Sequence, residues 1–168
     1  QPGVTMRYCV SNLTPAILIL AVTCCLVVQD TCRAAEPTST PLSTRGAKIV
    51  DAKGRPFVIR GVSWFGMETE THCPHGLWAR GYKETLQHIS DSGFNLIRLP
   101  FSLNALRSQR VSSIDFNKGN NRDFQNKSPL EVMDIVVREA ERKNILILLD
   151  FHRLNDSSIP ELWYGDGF

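Results

Sequence analysis

Read as a strand, Ile145-Leu-Ile-Leu-Leu-Asp-Phe-His-Arg153 sets the architecture of the chain. Its first residues, through Leu149, are apolar without alternation. A strand with one wet face alternates apolar and polar side chains, whereas one covered on both faces does not. The run therefore predicts a buried strand of a parallel sheet. Beyond Leu149 the character changes to Asp150, His152 and Arg153. Side chains alternate along a strand, so Asp150 and His152 share the face opposite Leu149.

Working upstream, Ser128 is a good helix N-cap, Pro129 suits the first helical position and Glu131 completes a capping box. Leu130, Met133, Val137 and Ala140 supply the apolar stripe, and Asn144 closes the helix. Asn104 to Lys127 is long and polar, with Gly119-Asn-Asn121 inside it; a loop of that length in a compact domain is usually functional. Phe94-Asn-Leu-Ile-Arg-Leu99 reads as a strand halted by Pro100. Across Gly81 to Ser92, Tyr82, Leu86 and Ile89 make one helical face apolar, and Gly93 supplies the stop. Ala47-Lys-Ile-Val50 and Pro56-Phe-Val-Ile-Arg60 flank Asp51-Ala-Lys-Gly54 as a hairpin, and the second run continues through Gly61-Val-Ser-Trp-Phe65 as the first buried strand.

Hairpin, strand, helix, strand, helix, strand is the signature of α/β architecture with parallel strands. Pattern alone leaves both a barrel and an open sheet. A dinucleotide-binding open sheet wants G-x-G-x-x-G after its first strand, opening a helix. Gly61-Val-Ser-Trp-Phe-Gly66 lacks that spacing, and no phosphate-binding P-loop occurs. The balance moves to a barrel.

The chain has 168 residues, 42% hydrophobic and 21% charged, with a formal net charge of +2. That composition is globular, and a charge so near neutral gives no reason to expect a nucleic-acid partner. Ala16 to Val28 is apolar, follows Met6 and Arg7, and precedes the small residues around Ala34 and Ala35. The order matches a secretory signal peptide and is short for a membrane span, which takes about 20 apolar residues. Residues 1–35 are expected to be leader, 36–44 a Pro/Ser/Thr-rich linker, and 45–168 the folded part of a secreted, extracellular protein with no membrane attachment. Cys9, Cys24, Cys25 and Cys32 fall in that leader, leaving Cys73 alone. Its thiol either pairs outside this sequence or is simply buried.

Ligands of parallel α/β folds bind beyond the carboxyl ends of the strands. Trp64 and Phe65 end the first, Arg98 lies near the end of the second, and Asp150, His152 and Arg153 end the third. Aromatic faces stack on the apolar faces of pyranose rings, and Arg and His donate to hydroxyls and carboxylates, so the mixture suits a sugar. Trp78, Trp163 and Tyr164 add aromatic surface on following loops. Trp64 reads equally as core packing. Asp150 reads as a structural partner for Arg98 or for a backbone amide rather than as a catalyst. His72-Cys73-Pro-His75 has the look of a metal motif but offers no fourth ligand, which a closed zinc site needs.

The runs Ile59-Arg-Gly-Val-Ser-Trp-Phe-Gly-Met-Glu-Thr69, His75-Gly-Leu-Trp78, Gly93-Phe-Asn-Leu-Ile-Arg-Leu-Pro100, Ser128-Pro-Leu-Glu-Val-Met-Asp134 and Leu149-Asp-Phe-His-Arg153 together resemble glycoside hydrolase family 5. Within it they look most like the secreted endo-β-1,4-glucanase, or cellulase, branch. The resemblance spans Thr44 to Tyr164. It implies a (β/α)8 TIM barrel, of which this chain holds about the first three βα units behind a hairpin. It also implies retaining hydrolysis of a β-linked polysaccharide by two glutamates, with no cofactor and no metal. Arg98 matches the arginine beside the nucleophile, His152 the histidine lining the reacting subsite, and Trp78 a sugar platform; Trp64 is a further candidate contact.

Neither catalytic glutamate has a counterpart here. The Asn-Glu-Pro motif that carries one of them is absent, and Glu68, Glu70, Glu84 and Glu161 do not occupy equivalent places. The chain thus looks like the front part of an enzyme whose gene continues past Phe168, expected to be inactive by itself. A non-catalytic carbohydrate-binding or truncated product is the other reading, and β-mannan or another β-glucan the other substrate. Asn126-Lys-Ser128 and Asn155-Asp-Ser157 fit the glycosylation sequon, the first weakened by Pro129.

Overall fold

The structure is a computed structural model, and it describes residues 38–157. The expected leader, Glu161, Trp163 and Tyr164 lie outside the described residues. No helix among the described residues is long and apolar enough to cross a membrane.

An antiparallel pair comes first: β1, Ser43–Arg45, with β2, Lys48–Val50. The tight turn between them uses Gly46 at φ 59°, a left-handed conformation that glycine adopts freely. The hairpin is therefore one element earlier than its sequence pattern implied, and β1 begins inside the stretch expected to be linker. Pro56 makes only an isolated bridge to Val50. The cause lies in Asp51, whose carboxylate accepts from the Lys53 and Arg55 backbone N–H groups and from Arg55 Nε. Those bonds close a compact loop where a regular second strand was expected.

Three parallel strands follow in the order β3, Gly61–Ser63; β4, Leu96–Ser102; β5, Leu146–Arg153. Helix α1, Tyr82–Asp91, joins β3 to β4, while the short α2, Leu103–Arg107, and α3, Pro129–Arg142, lie between β4 and β5. Ile97 and Leu99 of β4 are fully buried with Leu86 of α1 and Val132, Val136 and Ala140 of α3. Burying one such aliphatic side chain contributes about 1.5–3 kcal/mol, so this layer carries the stability of the unit.

The capping box on α3 is formed: Ser128 Oγ accepts from the Glu131 N–H, and Glu131 Oε2 accepts from the Ser128 N–H. Asn144, at φ 55°, ends the helix in the left-handed region. The buried stripe is rotated from the expected one. Val132, Met133, Val136 and Ala140 face inward, and Leu130 is half exposed. Pro129 and Val132 of the same turn are buried, so Leu130, between them in sequence, is turned off the inward face by the helical step of about 100° per residue.

Two further expectations change. β4 does not stop at Pro100 but runs to Ser102. Arg98 accepts from Trp64 on the β3 side, whereas Asn95 accepts from Leu146 on the β5 side. By alternation Pro100 faces the β3 side, where β3 has already ended, so its missing N–H leaves no bond unmade. β5 is parallel as expected but is not covered on both faces: Leu148, Leu149 and Phe151 are each 51% exposed. Among the described residues β5 pairs only with β4.

The long polar segment after β4 is a packed element. It contains α2 and a 3-10 turn at Asn121–Phe124. Asn121 is fully buried; its Oδ1 accepts from the Tyr82 N–H, and its Nδ2 donates to the Leu77 and Arg80 carbonyls. Phe124 packs on the Tyr82 ring at 4.5 Å between centroids. Polarity of composition and burial are compatible here because the buried polar groups are paired.

Candidate active-site rim at the strand ends

Register brings the site together. Ser63 of β3 lies opposite Arg98 of β4, and Pro100 lies opposite Asp150 of β5. Arg98 Nη1 donates to Ser63 Oγ at 3.1 Å, and Nη2 donates to Asp150 Oδ2 at 2.5 Å. His152 Nδ1 lies 3.0 Å from Arg98 Nη2 and 3.1 Å from Asp150 Oδ2. Nδ1 either accepts from the guanidinium or donates to the carboxylate, according to its tautomer.

Three strands thus deliver one residue or two each to a single polar cluster. The fold gives His152 a special place. Phe101 pairs with Phe151 and Ser102 with Arg153, so His152 is the extra residue of a bulge at the end of β5. Bulges interrupt the ladder and re-aim a side chain. The cluster is partly open, with Arg98 37% and Asp150 29% exposed. An ion pair that wet contributes about 0.2–1 kcal/mol to stability. Its consequence is orientation: the acid fixes both the guanidinium fork and the imidazole.

Of the two readings of Trp64, candidate contact and core packing, the structure shows the buried side chain that the second expects. It is 7% exposed, and its indole N–H donates to the His75 carbonyl at 2.9 Å. That bond and the His75 N–H to Phe65 carbonyl bond fold the loop after β3 back on itself. The result is an exposed aromatic group. Phe65 stacks on His75 at 4.2 Å, His75 meets Trp78 edge-on at 4.4 Å, and Phe65 and Trp78 are about half exposed. About half of the Trp78 side chain is thus open to solvent.

The three residues of the metal-like motif point to separate partners. His72 Nε2 bonds to Asp156 Oδ2 at 2.8 Å, and His75 joins the aromatic group. Cys73 is buried and donates Sγ–H to the Ser112 carbonyl, and burial pushes its thiol up to about 11. Among the described residues no group of three His, Cys, Asp or Glu side chains is arranged for a metal ion.

Two cavities frame the sheet. One of about 410 Å³ touches Asn144, Ile145 and Leu146 at the start of β5, away from the polar cluster. A smaller one of about 220 Å³ is lined by Phe151, His152, Arg153 and Leu154. The second is the one that adjoins the chemistry, although it is the smaller. Ser63 and Asp156 were not singled out from the sequence. Ser63 carries no motif of its own, and only its register opposite Arg98 marks it. Asp156 had only the sequon around it as a signal, which says nothing of its hydrogen bonds.

Comparison with known proteins identifies the family. A family model described as Cellulase (glycosyl hydrolase family 5) matches residues 50–167. An endoglucanase of Paenibacillus polymyxa is 40% identical over 122 residues, covering 72% of this chain and 30% of that protein. A Pyrococcus horikoshii endocellulase, solved as a complex with cellotetraose, superposes with a TM-score of 0.70 at 36% identity, covering 79% of this chain and 36% of that one. The catalytic domain of the major endoglucanase of Xanthomonas campestris pv. campestris gives a TM-score of 0.70 at 36% identity, covering 76% and 37%. The chain thus spans about a third of the length of the relatives it matches. These structural neighbours are glycosidases with the TIM-barrel fold, and the described residues form a partial α/β unit of that kind. By the match over residues 50–167, more than half of its length, this chain belongs to the cellulase family, glycosyl hydrolase family 5.

Proposed function

We propose that the protein to which this chain belongs is a secreted endoglucanase that hydrolyses cellulose-type β-1,4-glucan. Arg98, His152 and Trp78 contribute to the substrate cleft. The observation that carries the reading is the convergence of Ser63, Arg98, Asp150 and His152 at the carboxyl ends of three parallel strands. Trp78 supplies a ring face for a pyranose, and Arg98 and His152 supply donors for its hydroxyls.

The described strands open a (β/α)8 barrel as its first three βα units. Hydrolysis follows the retaining course, with two carboxyl groups about 5–5.5 Å apart, one as nucleophile and one as acid/base. Neither belongs to the cluster seen here. Arg98 stabilises the ionised nucleophile, and Asp150 keeps Arg98 aimed. His152 hydrogen-bonds the sugar at the reacting subsite. The chemistry requires no cofactor.

The test compares two proteins on carboxymethyl-cellulose, mannan and mixed-linkage β-glucan. The complete gene product should release reducing ends fastest from the β-1,4-glucan with retention of configuration. The 168-residue chain alone should release none. Preference for mannan would reassign the substrate, and hydrolysis by the short chain would overturn the assignment of the chemistry to glutamates elsewhere. Sequencing secreted material should place the mature terminus just after Ala34 or Ala35.

A further inference from the structure

The segments after all three parallel strands meet at one carboxylate. His72, in the loop after β3, places Nε2 2.8 Å from Asp156 Oδ2. Asn104, in α2 just after β4, donates from Nδ2 to Asp156 Oδ1 at 3.1 Å. Asp156 itself follows β5, and Arg153 Nη1 reaches its carbonyl at 3.5 Å. The His72 and Asp156 side chains are only 12% and 21% exposed. His72 also sits at φ 50°, where a side chain with a Cβ is disfavoured. Such a conformation persists where the surrounding contacts hold it. The hydrogen bond from His72, and after it that from Asn104, keeps the Asp156 carboxyl below the ordinary aspartate range.

The clasp lies where β5 needs it. His152 is the bulged residue, so no ladder partner holds its backbone. Beyond Arg153 the strand ends. The free end of a strand frays unless something ties it down. The Asp156 clasp ties the chain just past His152 to both neighbouring loops.

We propose that Asp156, gripped by His72 and Asn104, is a positioning residue that sets the aim of the His152 imidazole toward the substrate. The proposal rests on the reading that His152 lines a sugar cleft. Asp156 touches no reacting atom; it acts by fixing the end of β5, from which His152 projects.

The experiment uses the complete gene product with Asp156→Ala, His72→Ala, the double variant and the near-isosteric Asp156→Asn. Two readouts are taken: kcat and KM on cellotetraose, and the NMR chemical shifts of the His152 ring C–H signals. Misplacement by about 1 Å costs on the order of a hundredfold in rate, so Asp156→Ala should lower kcat by about ten- to a hundredfold. KM should stay within about threefold, because the clasp bears on alignment rather than on uniform binding. The His152 ring signals should shift in position, because the imidazole loses its fixed place beside Arg98 and Asp150. Asp156→Asn keeps an acceptor for Asn104 and a donor for neutral His72, so it should recover most of the lost turnover. The double variant should lose no more than Asp156→Ala alone, since both residues act through one clasp.

Unmoved His152 signals in folded Asp156→Ala would overturn the proposal. So would independent, multiplying losses in the double variant, or a fall in activity explained wholly by loss of folded protein. Should the wild-type protein cleave no β-1,4-glucan, the endoglucanase reading fails, and the position of the His152 ring signals still decides whether the clasp positions the ring.

Discussion

Arg98 Nη2 meets Asp150 Oδ2 across a strand pair whose register sets Arg98 opposite Leu148, so the contact is diagonal, reaching toward the strand ends. The guanidinium is thereby tilted out of the sheet and toward the rim. Its other nitrogen is pinned by Ser63 on the opposite neighbour. A planar fork held on both sides has one aim, which an ammonium on a flexible stem lacks.

Arg98→Lys keeps the charge and loses that fork. Turnover of the complete enzyme on a soluble β-1,4-glucan is expected to fall by at least about tenfold. Thermal unfolding should shift little, because so exposed an ion pair contributes only about 1 kcal/mol or less. Steady-state kinetics and a melting curve on the same preparation check both halves.

The two tryptophans should separate cleanly. Trp64→Ala removes a core indole and is expected to cost about 3–5 kcal/mol in chemical denaturation. Trp78→Ala leaves the core intact, so its stability should change by about 1 kcal/mol at most. It should instead weaken cello-oligosaccharide binding by about tenfold, or 1.4 kcal/mol, read by calorimetry.

Gly66→Ala tests the loop that displays the aromatic group. A Cβ there would lie 2.3 Å from the Cys73 carbonyl oxygen and 2.7 Å from the His75 nitrogen, at φ 128°. Neither backbone atom can step aside without opening the Phe65–His75 stack. Destabilisation above about 1 kcal/mol is expected. It should come with loss of near-ultraviolet aromatic dichroism.

The capping box carries a pH signature. Glu131 accepts from the Ser128 backbone N–H, from Lys127 and from the Ser128 hydroxyl, and these bonds lower its pKa from 4.5 to about 2. The folded value lies below the unfolded one, so the contribution is complete above the unfolded pKa and is lost as pH falls toward the folded one. Melting temperature should therefore drop on acidification between those values by more in wild type than in Glu131→Gln. Ser128→Ala should cost about 1 kcal/mol at neutral pH, from the lost cap.

Local signals were strong wherever one short-range rule governed. Ser128, Pro129 and Glu131 announce the start of α3, and Tyr82, Leu86 and Ile89 mark the buried face of α1, because caps and helical periodicity act within a few residues. The rule failed where a neighbour outside the window had the vote. Pro100 reads as a stop, yet β4 continues, since the missing donor faces a strand that has already ended. Asn121 reads as loop polarity, yet it is a buried bracket for Leu77, Arg80 and Tyr82.

The same division holds at the site. The linear chain was enough to nominate Arg98, His152 and Trp78 as candidates, and to assign the parallel α/β order that the structure shows, because charge, aromaticity and apolar runs are written in residue identity. Folding alone chose between the two aromatic candidates, turning Trp64 inward and Trp78 outward. It also set Ser63 and Asp150 on either side of Arg98, placed His152 in a bulge and drew His72 and Asn104 to Asp156. Those outcomes depend on inter-strand register and loop packing. Both are contacts between residues far apart in the chain, and no local stretch encodes them.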